Sequence, residues 1–250
     1  MHVDLNCDVG ESYYENLIGN DELLIPLISS CNIACGFHGG DPLTIQKAIL
    51  LALKHNVSIG AHPSYPDLKN FGRKKMNLSS VELKASLQYQ ISVIQKLTAY
   101  HGGKMRHVKP HGALYNLAAK DFDLAVDIAK IIKSFGDDLI FLGQSNSLME
   151  KAASFVGVPF VKEVFADRKY NSEGFLIPRS EEGAVISDID EASQQALDML
   201  MENKVVSLDR KVVNINAQSI CIHGDSENAL EFITKIKKDL YRNQIQIKSF

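Results

Sequence analysis

The sequence predicts an α/β fold: one irregular, TIM-like β/α barrel of about seven strands. Three observations carry this. Short β-rich runs alternate with helical patterns along the chain. Apolar and polar residues alternate within the runs, so each strand has two unlike faces. The 250 residues contain no Pro/Ser/Gly-rich linker, composition break or repeat, so the expected organisation is a single barrel domain over 1–250. An open doubly wound sheet is the structural alternative.

The strands are expected at 3–8, 31–37, 57–61, 105–109, 138–142, 159–165 and 217–223. The clearest helix follows Asn77: Ser79 and Glu82 have capping-box spacing, and Leu83, Leu87, Ile91, Ile94 and Leu97 recur at helical period, with Gly102 beyond the end. Residues 226–240 repeat the pattern, with Ala229, Phe232, Ile233 and Ile236 on one face. Between 204 and 216, KVVSLDRKVVNIN reads as a hairpin turning at Asp209 and Arg210.

Composition narrows the function. Hydrophobic residues make up 45% and charged residues 23%, enough to bury a large core. A net charge of −3 with scattered lysines gives no footprint for nucleic acid. No apolar run approaches a membrane span and the N-terminus carries no signal pattern, so no membrane partner and a cytoplasmic location are expected. Cys7, Cys31, Cys35 and Cys221 lack the spacing of a redox pair or zinc knuckle and read as reduced core thiols.

The alternation locates a site. HVDLNCD places Asp4, Asn6 and Asp8 on one face of the first strand and Val3, Leu5 and Cys7 on the other. The second strand offers Asn32 and His38, the third His62, the fourth His107, Lys109 and His111, and the last His223 and Asp225. Polar ends repeated over five strands are expected to converge at the C-terminal mouth of a barrel. Gly39, Gly40, Pro63, Gly112 and Gly224 turn the chain directly after four of the histidines. His2, His55 and His101, at a terminus or at helix ends, are assigned no role.

Carboxylates beside imidazoles suit acid–base work near neutral pH, and Asp8, His38 and His62 can equally hold a divalent metal. Spacing does not separate the two, and no residue is assigned as a metal ligand. Lys109, Arg73, Arg168 and Arg179 are candidates for gripping a carboxylate or phosphate. Neither GxxxxGK[ST] nor GxGxxG occurs, so a nucleotide, if used, would be held by a partner protein.

The stretches DLNCDVGES, NIACGFHGGDP, IGAHPSYPDL, FGRKKM, RHVKPHGALYN, FADRKY, IPRSEEGAVI and CIHGD, in this order, resemble the LamB/YcsF family from about residue 3 to residue 240. Cys7, where Ala is frequent in the family, is a minor departure. The resemblance implies a barrel related to those of glycoside hydrolases and deacetylases. It also implies 5-oxoprolinase activity, the ATP-dependent opening of 5-oxo-L-proline to L-glutamate, carried out with companion 5-oxoprolinase subunits B and C. ATP, with Mg²⁺ as its ion, is then expected to be bound with those partners, and self-association is left open.

On this reading Asp8, His38, His62, Lys109 and His111 are the candidate catalytic residues. Asp8 with His38 or His62 activates water, and Lys109 and His111 stabilise the carbonyl oxygen or its phosphorylated form. Arg73 or Arg168 holds the substrate carboxylate. Asp4, Asn6, Asn32, Asp41 and Tyr115 are further substrate-binding candidates, together with Glu163, His223 and Asp225. Two alternatives stay open: a stand-alone metal-dependent amide or carbohydrate deacetylase, and a noncatalytic component that binds the lactam for its partners.

Overall fold

A computed structural model describes residues 1–225 and 228–250 of the chain. Its strands are β1 (His2–Val9), β2 (Ser30–Ala34), β3 (Ser58–His62), β4 (Met105–Val108), β5 (Ile140–Gln144), β6 (Phe160–Phe165), β7 (Lys204–Val206), β8 (Val212–Asn214), β9 (Ser219–Ile222) and β10 (Gln246–Ile247). The helices are α1 (Asp21–Leu24), α2 (Pro42–Lys54), α3 (Ser80–Tyr100), α4 (Gly112–Ala118), α5 (Phe122–Lys133), α6 (Leu148–Val156), α7 (Ile189–Met201) and α8 (Ala229–Arg242).

Strands β1 to β6 pair in chain order, all parallel, and β9 pairs with both β6 and β1. The sheet therefore closes into a seven-stranded parallel barrel ringed by helices. The expected irregularity lies in the excursions instead of in the ring. Two helices, α4 and α5, separate β4 from β5, and β7 and β8 form the expected antiparallel hairpin, with Arg210 at φ +62° in its turn. The short β10 pairs with the start of β1, a contact that the strand pattern does not foretell.

The helices follow local rules. The Ser79 hydroxyl accepts from the Glu82 N–H while the Glu82 carboxylate accepts from the Ser79 N–H at 2.8 Å, closing the capping box of α3. Leu83, Leu87, Ile91 and Ile94 of that helix are buried against the barrel, each worth roughly 1.5–3 kcal/mol. Helix α8 buries Phe232, Ile233, Ile236 and Leu240 in the same way. Residues 226 and 227, the first two of the helix expected over 226–240, lie outside the described residues.

The bore differs most from expectation. It is polar from floor to mouth, whereas the alternation predicts polar groups only toward the mouth. Near the floor, Asp4 accepts hydroxyl hydrogen bonds from Ser29 at 2.6 Å, Ser30 at 2.8 Å and Ser219. His107 Nε2 donates to Asn32 Oδ1 at 2.8 Å, and the His107 ring lies edge-on to Phe250 with centroids 5.2 Å apart. His107 thus fills the bore, and the histidines at the mouth are four, not five. Among the described residues no helix is long and apolar enough to cross a membrane.

Candidate active site

Four strand ends deliver the charged centre. Lys109, directly after β4, reaches across the bore so that Nζ lies 2.9 Å from Asp8 Oδ1, 2.8 Å from Glu163 Oε1 and 3.1 Å from Cys221 Sγ. Asn6 Nδ2 donates to Glu163 at 2.9 Å, Asn32 Nδ2 to Asp8 at 2.8 Å, and the Tyr115 hydroxyl to Glu163 Oε2 at 2.7 Å. Burial disfavours the Lys109 ammonium, yet Asp8 and Glu163 override it and raise its pKa. Burial equally opposes the Asp8 carboxylate, but His62 and Lys109 hold its pKa well below the ordinary range. The centre is an ion network in a low-dielectric bore.

Beside it lies a packed histidine group. The rings of His38 and His111 stack with centroids 3.8 Å apart and 3° between their planes, and His62 meets both edge-on. His62 Nε2 is 2.9 Å from His111 Nδ1 and 3.3 Å from Asp8 Oδ2. Glu11 Oε1 is 3.3 Å from His38 Nε2 and 3.7 Å from His111 Nδ1. Burial pushes the pKa values of His38 and His111 down, favouring neutral rings, and burial with the charges of Asp8 and Asp225 pushes that of Glu11 up.

These side chains meet at a cavity of about 280 Å³ lined by Asp8, His62, Arg73, Lys109, His111, Tyr115, Phe165, Arg168, Arg179 and His223. Its size and its few converging polar groups suit a small polar ligand. At the rim Arg73 pairs with Asp225, which also takes Arg179 Nη1 at 3.2 Å. Arg168 is committed to the backbone carbonyls of Ile177 and Ala184, and His223 Nδ1 to Asp167 at 2.8 Å. Against burial, which raises it, His223 holds the Asp167 carboxyl at about 2.

The structure therefore brings Asp8, His62, Lys109, His111, Arg73, Tyr115, Arg168 and His223 to the cavity. Glu163 and Asp225 touch its charged wall groups, Asn6 and Asn32 brace the centre from below, and His38 stands behind His111. Two candidates lie elsewhere. Asp4 is held by serines at the floor, and Asp41 caps α2, accepting from the Leu43 and Thr44 N–H groups at 2.9 and 3.1 Å. A short polar residue before Pro42 is also what an N-cap demands, so pattern alone does not separate the two roles.

Sequence reasoning misses Glu11, Cys221 and Asp167. Glu11 follows Gly10, whose φ of +68° swings the chain back over the mouth, and a turn carboxylate gives no sequence sign of burial. Cys221 is legible: it falls in step with Ser219 and His223 on the bore face, although cysteine spacing alone makes it a core thiol.

The LamB/YcsF family model matches residues 3–250. The chain belongs to the LamB/YcsF family. Relatives named as the A subunit of 5-oxoprolinase match along its whole length: the Staphylococcus epidermidis protein is 45% identical over 249 residues, covering all of this chain and 99% of the other, and the Staphylococcus aureus protein is 46% identical with both chains covered in full. The crystal structure of a lactam utilization protein from Thermus thermophilus superimposes with a TM-score of 0.94 at 41% identity, covering both chains completely. The catalytic domain of a peptidoglycan N-acetylglucosamine deacetylase from Eubacterium rectale matches with a TM-score of 0.51 at 10% identity, a likeness of fold alone.

Proposed function

We propose that this chain is the lactam-opening component of an ATP-dependent 5-oxoprolinase that works with two companion subunits, B and C. The observation that carries the reading is the cavity itself: acid–base groups and a buried ammonium stand at its base and arginines at its rim, in a volume suited to a small cyclic acid. The names of the family members fit that chemistry.

The reaction adds a water oxygen to the lactam carbonyl carbon, breaks the ring C–N bond and returns a proton to the departing nitrogen. Glutamate recyclises readily, so coupling to ATP, whose terminal phosphoryl group ends as phosphate, drives the opening forward. In this chain Arg73 and Arg179 hold the substrate carboxylate, exchanging their contact with Asp225 for it. Asp8, kept ionised by Lys109 and adjoining His62, takes the proton of the attacking water. Lys109 faces the charge that develops on the carbonyl oxygen, and His111, whose ring proton goes to the Phe71 carbonyl, lines the cavity beside it. Nucleotide handling is assigned to the partners, which agrees with the lack of a phosphate-loop motif in this sequence.

Glutamate release from 5-oxoproline and ATP tests the proposal, with this chain alone, the B and C subunits alone, and all three combined. Release is expected only from the full mixture, with Asp8→Asn and His62→Ala each lowering it by about 10²- to 10⁴-fold. Full release without this chain, or near-normal turnover in both variants, would overturn the assignment. ATP-independent hydrolysis of an acetylated amide by this chain alone would favour the deacetylase reading instead.

A further inference from the structure

We infer that Glu11, His38, His62 and His111 form a binding site for one divalent transition-metal ion of the zinc class. The first argument comes from proton placement. His62 Nδ1 lies 2.7 Å from the backbone carbonyl of Lys109, and His111 Nε2 lies 2.9 Å from that of Phe71. A carbonyl only accepts, so each of these outward nitrogens carries the ring proton. With one proton on each ring, the inward nitrogens, His62 Nε2 and His111 Nδ1, both present lone pairs, and they face each other at 2.9 Å.

At that distance the two nitrogens share either a proton or a metal ion, and the two further donors gathered around them favour the ion. Outer N–H groups anchored on carbonyls, with inner nitrogens bare, is the arrangement in which proteins present histidine to metals. His38 supplies the third ring, fixed by its stack on His111, and Glu11 Oε1 faces both His38 and His111. The four atoms lie within 4.8 Å of one another and all four residues are buried. Ligands about 2.0–2.2 Å from one tetrahedral ion stand about 3.3–3.6 Å apart; the 3.3 and 3.7 Å separations lie close to that, and the 2.9 Å pair would open slightly on binding.

The donor set also selects the ion. Three imidazoles and one carboxylate suit Zn²⁺, Co²⁺ or Fe²⁺, whereas Mg²⁺ takes oxygen ligands and keeps its waters. The Mg²⁺ expected with ATP is thus a different ion from the one this site fits. His62 and His111 line the cavity while Glu11 and His38 stand behind them, so an ion held there would be open to the ligand on one side. Its use in catalysis rests on the lactam reading; its binding does not.

The test strips the chain with a chelator and titrates it with Co²⁺, read by visible ligand-field absorption and by elemental analysis after desalting. One ion per chain is expected, with a band that an equivalent of Zn²⁺ removes and about a hundredfold excess of Mg²⁺ does not. Glu11→Gln and His111→Ala should each weaken Co²⁺ binding by at least about tenfold, while His55→Ala, at an exposed helix end, leaves it unchanged. Circular dichroism checks folding, and if His111→Ala does not fold, the near-isosteric Glu11→Gln decides. Substoichiometric metal without a band, or binding undiminished in Glu11→Gln, would overturn the site. No lactam enters this measurement, so its failure is distinct from failure of the proposed reaction.

Discussion

Lys109 is only 2% exposed, and its ammonium faces two carboxylates and a thiol, so its charge is both costly to bury and hard to remove. Removing one partner of a buried ion network leaves the others uncompensated, which costs more than the intact network contributes. Lys109→Ala strands Asp8 and Glu163 in the bore and should lower stability by roughly 3–5 kcal/mol, read from urea unfolding. Lys109→Arg should not restore the loss, because a planar fork cannot take the place of a compact ammonium among these atoms. A cost below about 1 kcal/mol for Lys109→Ala would show that the carboxylates do not depend on it.

At the level of the element, β3 and β4 approach closely because Gly60 has no side chain. A Cβ at Gly60 would lie 2.1 Å from His107 Nε2, the atom that donates to Asn32, and the register between the two strands shifts at this point. Gly60→Ala should therefore displace a buried ring and cost roughly 1–3 kcal/mol or more. Adding His107→Ala removes the clash, so the double variant should lose less than the sum of the two single changes. A double-mutant cycle by denaturant unfolding measures that coupling, and strict additivity would place the strain elsewhere.

For the whole molecule, the polar bore makes stability depend on pH through its floor. Burial pushes the Asp4 carboxyl up from 3.8 to about 6 in the fold, with the serine hydroxyls opposing the rise and the charge of Glu163 adding to it. Between these values the folded state binds the proton that the unfolded chain releases. The contribution is thus fully present below about pH 4, declines as pH rises through about 6, and changes no further above that. Two units correspond to about 3 kcal/mol. Asp4→Asn removes this titration, so its stability relative to the parent chain should rise by about 2–3 kcal/mol between pH 4 and 7. Urea midpoints across that range check it, and a pH-independent difference between the two proteins would refute it.

The sequence by itself determined the seven strands, the capping box of α3, the hairpin at 204–216 and most of the residues around the cavity. Each of these follows from period-two or 3.6-residue patterning and from turn chemistry, which act over neighbouring residues. Only the tertiary structure decided depth and partnership. Asp4 and Asp8 share one face of β1, yet closure of the barrel puts one among serines at the floor and the other against Lys109 at the mouth. Glu11 became part of the histidine group only because Gly10 turns it inward beside residues 27 and 100 positions away in the chain. Distance along a strand tells which face a side chain takes; what waits on that face is set by six other strands closing around it.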